Sequence, residues 1–187
     1  MTPISSAINL LLDQLIRLQE QPRGGVLLID GHAGSGKSSL AQALSDRLFT
    51  ETKQLARTVH MDDLYPGWSG LNAGASYLNS RILEPLSRGK TAIWQIWDWE
   101  AGSRSEFREY SGENLLIVEG CGALNATSSR HADYSIWIDA DPTVRNARLI
   151  ERDQGRFGDY YQSWAEQEAD FYLEHQSRSL ADLIVEN

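Results

Sequence analysis

Apolar positions early in the chain, Ile4, Ile8, Leu11, Leu12, Leu15 and Leu18, recur at helical spacing with Asp13, Arg17 and Glu20 elsewhere. That period predicts an amphipathic helix over residues 1–22, ended by the PRGG stretch at 22–25. The pattern then changes. VLLID at 26–30 is an unbroken apolar run closing on a carboxylate, as a strand buried on both faces reads. SSLAQALSDRLF at 38–49 returns to helical spacing, and ARTVHMDD at 56–63 reads as a short strand that delivers two acids. After the turn-rich YPGWSGLNAGAS at 65–76 comes a helix around YLNSRILEPLSRG, and then KTAIWQIWDWE at 90–100, a strand or hairpin rich in Trp and Ile. Residues 62–112 therefore read as an insertion. NLLIVEG at 114–120 and YSIWIDAD at 134–141 are further strands, helices follow at 142–155 and 160–180, and the short apolar run ADLIVEN closes the sequence.

Strands alternating with helices imply an α/β fold in three layers, with a five-stranded, mostly parallel sheet between helices. In such sheets ligands gather at the carboxyl ends of the strands. Asp30, Asp62, Asp63, Glu119, Asp139 and Asp141 all fall there.

A length of 187 residues suits one domain. The formal charge of −9, without a run of Lys or Arg, weighs against extended nucleic acid as a partner and points to a small molecule. Cys121 is the single cysteine, which excludes an intrachain disulfide and suits a reducing cytoplasm. The N-terminal helix lacks the charge and cleavage pattern of a leader, and no segment approaches the roughly 20 apolar residues of a membrane span. A cytoplasmic protein with no membrane partner is expected. The apolar stripe of the first helix is expected to pack on its own sheet, or else to dock a partner or a second copy as a homodimer.

The sharpest motif lies between the first strand and the second helix. Gly31, Gly36, Lys37 and Ser38 fit G-x-x-x-x-G-K-[ST] in the context that gives the match meaning. Gly31, His32, Ala33, Gly34, Ser35, Gly36, Lys37, Ser38 and Ser39 would wrap the phosphates of a nucleotide. Glycines let successive N–H groups turn toward oxyanions, the helix N-terminus adds positive potential, Lys37 reaches the outer phosphates and Ser38 ligates Mg²⁺. Only the backbone of His32 is required.

Phosphoryl transfer also needs a group to orient or deprotonate the acceptor, and charge to steady the moving phosphoryl. Asp62 or Asp63 suits the first task. Glu119, at a strand end, is placed to hold Mg²⁺ or its water. Arg145, Arg148, Arg152 and Arg156, spaced three, four and four apart, form a basic stripe on a lid over 142–160, with Arg148 and Arg152 best placed. Trp94, Trp97 and Trp99 are expected on one strand face as a hydrophobic floor, with Trp97 the one free to stack on a substrate. Asp98, on the opposite face, and Arg104 would meet sugar hydroxyls, and Tyr65 and Trp68 would line the acceptor pocket.

Together these residues resemble the uridine kinase-like and nicotinamide riboside kinase-like branch of the P-loop small-molecule kinases. GHAGSGKS resembles their phosphate loop and VHMDDLY their acid motif after the second strand. IWQIWDWEAGSR resembles their substrate-binding hairpin, and IVEG and DADPTVRNARLIERDQGR their third-strand and lid segments. The resemblance implies a nucleoside/nucleotide kinase-like P-loop fold, ATP and Mg²⁺ as cofactors, Asp62 as the base, and Trp97, Asp98 and Arg104 as acceptor contacts. Gly102 stands where uridine kinases carry a His. Phosphorylation of a hydroxyl on a nucleoside, riboside, sugar or vitamin-like metabolite is the leading expectation. A nucleoside monophosphate kinase is an alternative, disfavoured by seven acids against five bases over 61–110. A nucleotide-hydrolysing switch or assembly factor is another, disfavoured because no Asn-Lys-x-Asp motif is present.

Overall fold

The computed structural model describes residues 2–154 and 158–187. Its centre is β2 (Val26–Asp30), flanked on one side by β6 (Leu116–Glu119) and β3 (Arg57–His60). On the other side lie β7 (Tyr134–Asp139), β8 (Leu183–Glu186) and the two-residue edge strand β1 (Thr2–Pro3). Every pairing in this sheet is parallel. The anticipated five strands are therefore all there, extended by β1 at one edge.

Parallel strands need helical crossovers, and these cover both faces. On β2 the side chains alternate: Leu27 and Ile29 join one apolar cluster, Leu28 the other. The first cluster packs α1 (Ile4–Gln19), through Leu11, Leu15 and Leu18, and α2 (Lys37–Thr52), through Leu40, Leu44 and Leu48, against the sheet. Leu11, Leu15 and Leu18 of the α1 stripe thus pack on the chain's own sheet. The second cluster gathers α3 (Leu71–Leu78), the following helical turns Asn79–Leu83 and α4 (Glu84–Ser87). It also takes Trp94 from the β4 (Ala92–Asp98) and β5 (Ser103–Tyr110) hairpin, and Phe171 from α6 (Gly158–His175). Between β7 and α6 lies α5 (Pro142–Asp153), capped by Asp141, whose carboxylate accepts from the N–H groups of Thr143 and Val144. The short α7 (Ser177–Leu180) leads into β8.

Three local departures from the sequence pattern have physical causes. The acids at 62 and 63 sit on a 3₁₀ turn, Met61–Asp63, that starts where β3 stops, which swings them off the sheet. The stretch read as turns up to residue 76 is helical from Leu71, because Gly74 lets the helix lie against Tyr65. A Cβ at Gly74 would sit 2.5 Å from that ring. Finally, Trp94 and Trp97 are three residues apart, which sets them on opposite faces of a regular strand, so the three indoles do not form one floor. Trp94 is buried, Trp97 is half-buried, and Trp99 lies beyond the end of β4 in the hairpin turn. The hairpin is also irregular: Gln95 pairs with Phe107 but Trp97 with Arg104, so two residues of β5 face Ile96.

Candidate active site

The loop between β2 and α2 is held from outside by its carbonyls. Arg145 donates to Ala33 O (3.2 Å), Arg148 to Gly34 O (3.3 Å) and Asn187 to Ser35 O (2.8 Å). Peptide planarity then turns the N–H of each following residue to the other side. Gly34 is at φ +76°, and a Cβ there would lie 2.6 Å from Arg145 O, so α5 closes on the loop only because this residue is glycine. Lys37, buried at the first position of α2, curls back and donates to Gly31 O (2.8 Å) and His32 O (2.9 Å). Burial opposes its charge, but the Cys121 sulfur and the carboxylates of Glu168, Asp30 and Glu119 outweigh it and raise its pKa. The lysine therefore stays charged where phosphate oxygens would arrive.

A cavity of about 950 Å³ opens on this loop, and Lys37, Ser38, Asp62, Glu119, Arg148 and Arg152 share its wall. Glu119, buried at the end of β6, accepts from the Ser38 hydroxyl (3.0 Å) and from His60 Nδ1 (2.6 Å). That bond raises the pKa of His60, against the opposing effect of partial burial. Ser38 and Glu119 together offer hard oxygen donors beside the loop, a set that suits Mg²⁺ sharing its other positions with phosphates and water. Asp62 faces the cavity mouth. The walls around its carboxyl and the charge of Glu119 raise its pKa, while Lys37 and Arg152 pull it down. Asp63 is not part of the cavity wall, and its pKa is raised by partial burial against the charges of His60 and Arg108.

Aromatic side chains line much of the remaining wall. Trp68 stacks on Tyr160 (centroids 4.9 Å apart, planes at 6°) and leans on Trp99 (5.1 Å), and Trp164 packs edge-on against Tyr65 (4.8 Å). Tyr65, buried, donates its hydroxyl to Cys121 O (2.7 Å).

The structure gathers most of the sequence-marked residues and sets others apart. Asp62, Tyr65, Trp68, Arg148 and Arg152 meet the phosphate loop in one cavity, whereas Trp97, Asp98 and Arg104 are not on its wall. Asp98 caps the hairpin turn, accepting from the N–H groups of Glu100 and Ala101 at 2.9 Å each. Arg104 lies 3.8 Å over the Tyr77 ring and donates to Leu64 O (2.7 Å), bracing the hairpin against the segment that carries Tyr65. Trp99 takes the cavity position expected of Trp97, and its indole N–H donates to Asp62 O (3.0 Å). Arg156 lies outside the described residues. His32 does not point its ring at the loop's inner side: it packs edge-on against Trp137 and Tyr172 and meets Glu168.

Glu168, Trp164 and Cys121 went unmarked by sequence reasoning. For Trp164 and Glu168 a signal was nonetheless present, since Trp164, Glu168 and Phe171 fall at i, i+4 and i+7 of α6, an acid where the stripe calls for an apolar side chain.

No family model and no curated protein sequence matches the chain. Solved structures do match it in shape. A possible uridine kinase from Bacillus stearothermophilus superposes with a TM-score of 0.69 at 21% identity, covering 97% of this chain and 98% of that one. Phosphoribulokinase from Rhodobacter spheroides gives 0.57 at 14% identity, over 88% of this chain and 70% of that one. D-glycerate 3-kinase from Cryptococcus neoformans gives 0.51 at 15%, over 90% and 84%. The chain shares the three-layer fold of these P-loop kinases.

Proposed function

We propose that the protein is a Mg²⁺- and ATP-dependent kinase that phosphorylates a hydroxyl of a small metabolite. One observation carries the reading: the phosphate loop and an acid on a separate element, Asp62, open into the same cavity, with Lys37 and Arg152 on its wall. That the structural neighbours are kinases supports it. Aromatic walls opposite the loop suit an acceptor with a flat or apolar portion.

In this reading the loop N–H groups, Lys37 and the α2 N-terminus hold the donor phosphates. Ser38 and Glu119 would hold Mg²⁺, which when bound neutralises charge on the phosphates. Asp62 orients the acceptor hydroxyl and takes its proton as the oxygen bonds to the γ-phosphorus and the bond from that phosphorus to the β-bridging oxygen breaks, releasing ADP. A pKa raised by enclosure brings this base nearer to neutral working conditions. Arg148 and Arg152 spread the charge of the moving phosphoryl, and the aromatic side chains of the wall limit the water that could compete for it.

The test is a screen of purified protein with Mg·ATP against nucleosides, ribosides, sugars and cofactor precursors, following ADP release. An acceptor that stimulates release in the wild type but not in Lys37→Ala or Asp62→Asn supports the kinase. Stimulation only by a protein partner supports a nucleotide-driven switch instead.

A further inference from the structure

Beside the loop lies a carboxylate that the transfer chemistry does not use. Glu168, on α6, is only 3% exposed. Its Oε1 accepts from the Ala33 N–H (2.8 Å), the Trp164 indole N–H (3.0 Å) and the Cys121 thiol (3.0 Å), and Oε2 accepts from His32 Nδ1 (3.0 Å). These four donors come from three places: two from the phosphate loop, one from the turn after β6, and one from α6 itself. Burial would neutralise such an acid, but the bonds from His32 and Cys121, the Lys37 charge and the Ala33 N–H hold its pKa below the ordinary value. It therefore stays ionised, and every bond to it is charge-assisted.

The neighbouring side chain holds the opposite wall. Gln167 donates to Trp68 O (2.9 Å), and its Oε1 accepts from the Leu71 N–H, the first residue of α3 (3.4 Å). Residues one apart on a helix project about 100° from each other, so α6 reaches the donor side with one and the acceptor side with the next. Trp164, one turn earlier, fills the space between them. It bonds Glu168 and packs against Tyr65 and Trp68.

We propose that Glu168 is a positioning residue for the phosphate loop and that, with Gln167, it makes α6 a strut through which nucleotide bound at the loop orders the Trp68 wall of the acceptor pocket. The proposal rests on the kinase reading. Cys121 touches both sides as well, its sulfur accepting from Lys37 Nζ (3.4 Å) and its carbonyl from the Tyr65 hydroxyl (2.7 Å), whereas Gln167 holds Trp68 and Leu71. A bound nucleotide that fixes His32 and Ala33 fixes Glu168, and a helix that holds Glu168 holds the Cα of Gln167, from which its side chain reaches Trp68 and Leu71. The cost of ordering the acceptor wall is then met when nucleotide binds, which favours acceptor binding second.

The experiment measures Mg·AMPPNP affinity by calorimetry, and amide hydrogen exchange over residues 64–74 with and without that nucleotide. Wild type should bind and slow exchange at 64–74. Glu168→Gln, which adds an N–H₂ among four donors, should weaken binding about tenfold, the scale of a lost charge-assisted bond. Gln167→Ala should bind within twofold of wild type yet lose the slowing at 64–74. That split is one a merely structural role does not produce. Glu168→Gln that is folded by circular dichroism and binds like wild type overturns the proposal, as does retained slowing in Gln167→Ala. Should Glu168→Gln fail to fold, the Gln167→Ala exchange result alone decides. Lys37→Ala separates the two readings. If wild type binds and Lys37→Ala does not, the nucleotide site stands and the strut variants judge only the strut. If wild type does not bind, both fall.

Discussion

Asp62 and Asp30 show how differently two aspartates are placed beside one phosphate loop. Asp62 looks into the cavity, with a pKa raised by its surroundings and by Glu119. As a base it works when deprotonated, so kcat/KM should fall as pH drops through a value above that of an ordinary aspartate. Asp62→Asn should remove this limb and lower kcat by about 10²–10⁴, the usual contribution of a positioned base, with nucleotide affinity kept. Asp30 is buried and accepts from the N–H groups of Gly31, Gly122 and Leu124 and from the Tyr172 hydroxyl. Burial outweighs these bonds and raises its pKa to about 6. Because the folded state binds this proton more tightly than the unfolded one, the stabilisation is full below about pH 4 and is lost as pH rises through about 6. Carbon-detected NMR should find one aspartate carboxyl titrating near that value, and its absence in Asp30→Asn assigns it. The Asp62–Asp63 ambiguity could not be resolved from sequence, because both follow a strand. The 3₁₀ turn decides which of them faces the cavity, and its geometry is set by packing around Met61 and Leu64.

At the scale of elements, the hairpin is where pattern and structure part. β4 ends at Asp98, so Trp99 turns back to hold the Asp62 carbonyl while Asp98 caps the turn. Trp99→Phe keeps an aromatic wall but deletes that neutral bond, a loss of about 1 kcal/mol, or roughly fivefold. The melting temperature should fall by about 2–4 °C, and turnover should drop by at most that factor. The α1 stripe makes the opposite prediction. Leu15 is wholly buried against the sheet and far from the cavity in the fold, so Leu15→Ala should cost about 2–5 kcal/mol of stability in denaturant unfolding while nucleotide affinity at low temperature persists. The strands and the phosphate loop were legible in the sequence because they rest on local signals: apolar runs, glycine spacing, a carboxylate at each strand end. Trp99, Arg104 and Glu168 were not, because their roles depend on partners distant in the chain. Arg104 is bound to Leu64 and lies over Tyr77, and Glu168 meets a loop more than a hundred residues earlier.

For the whole molecule, the parallel sheet sets the carboxyl ends of β2, β3 and β6 side by side, and each contributes to one cavity: the loop after β2, Asp62 after β3, Glu119 at the end of β6. Two faces of helices supply what a strand end cannot, with α5 bringing Arg148 and Arg152 and α6 bringing Trp164. Alternating strands and helices announced this arrangement, but the shape of the aromatic wall, on which the proposed acceptor would rest, is not encoded in spacing. A kinase and a nucleotide-hydrolysing switch differ in where the γ-phosphate goes. Phosphorus NMR of wild-type protein with Mg·ATP and an acceptor drawn from the screen follows that atom directly. A phosphomonoester should grow in step with ADP, with inorganic phosphate lagging far behind, and Asp62→Asn should suppress the new signal. A γ-phosphate that emerges only as inorganic phosphate, whichever small molecule is supplied, would contradict the account.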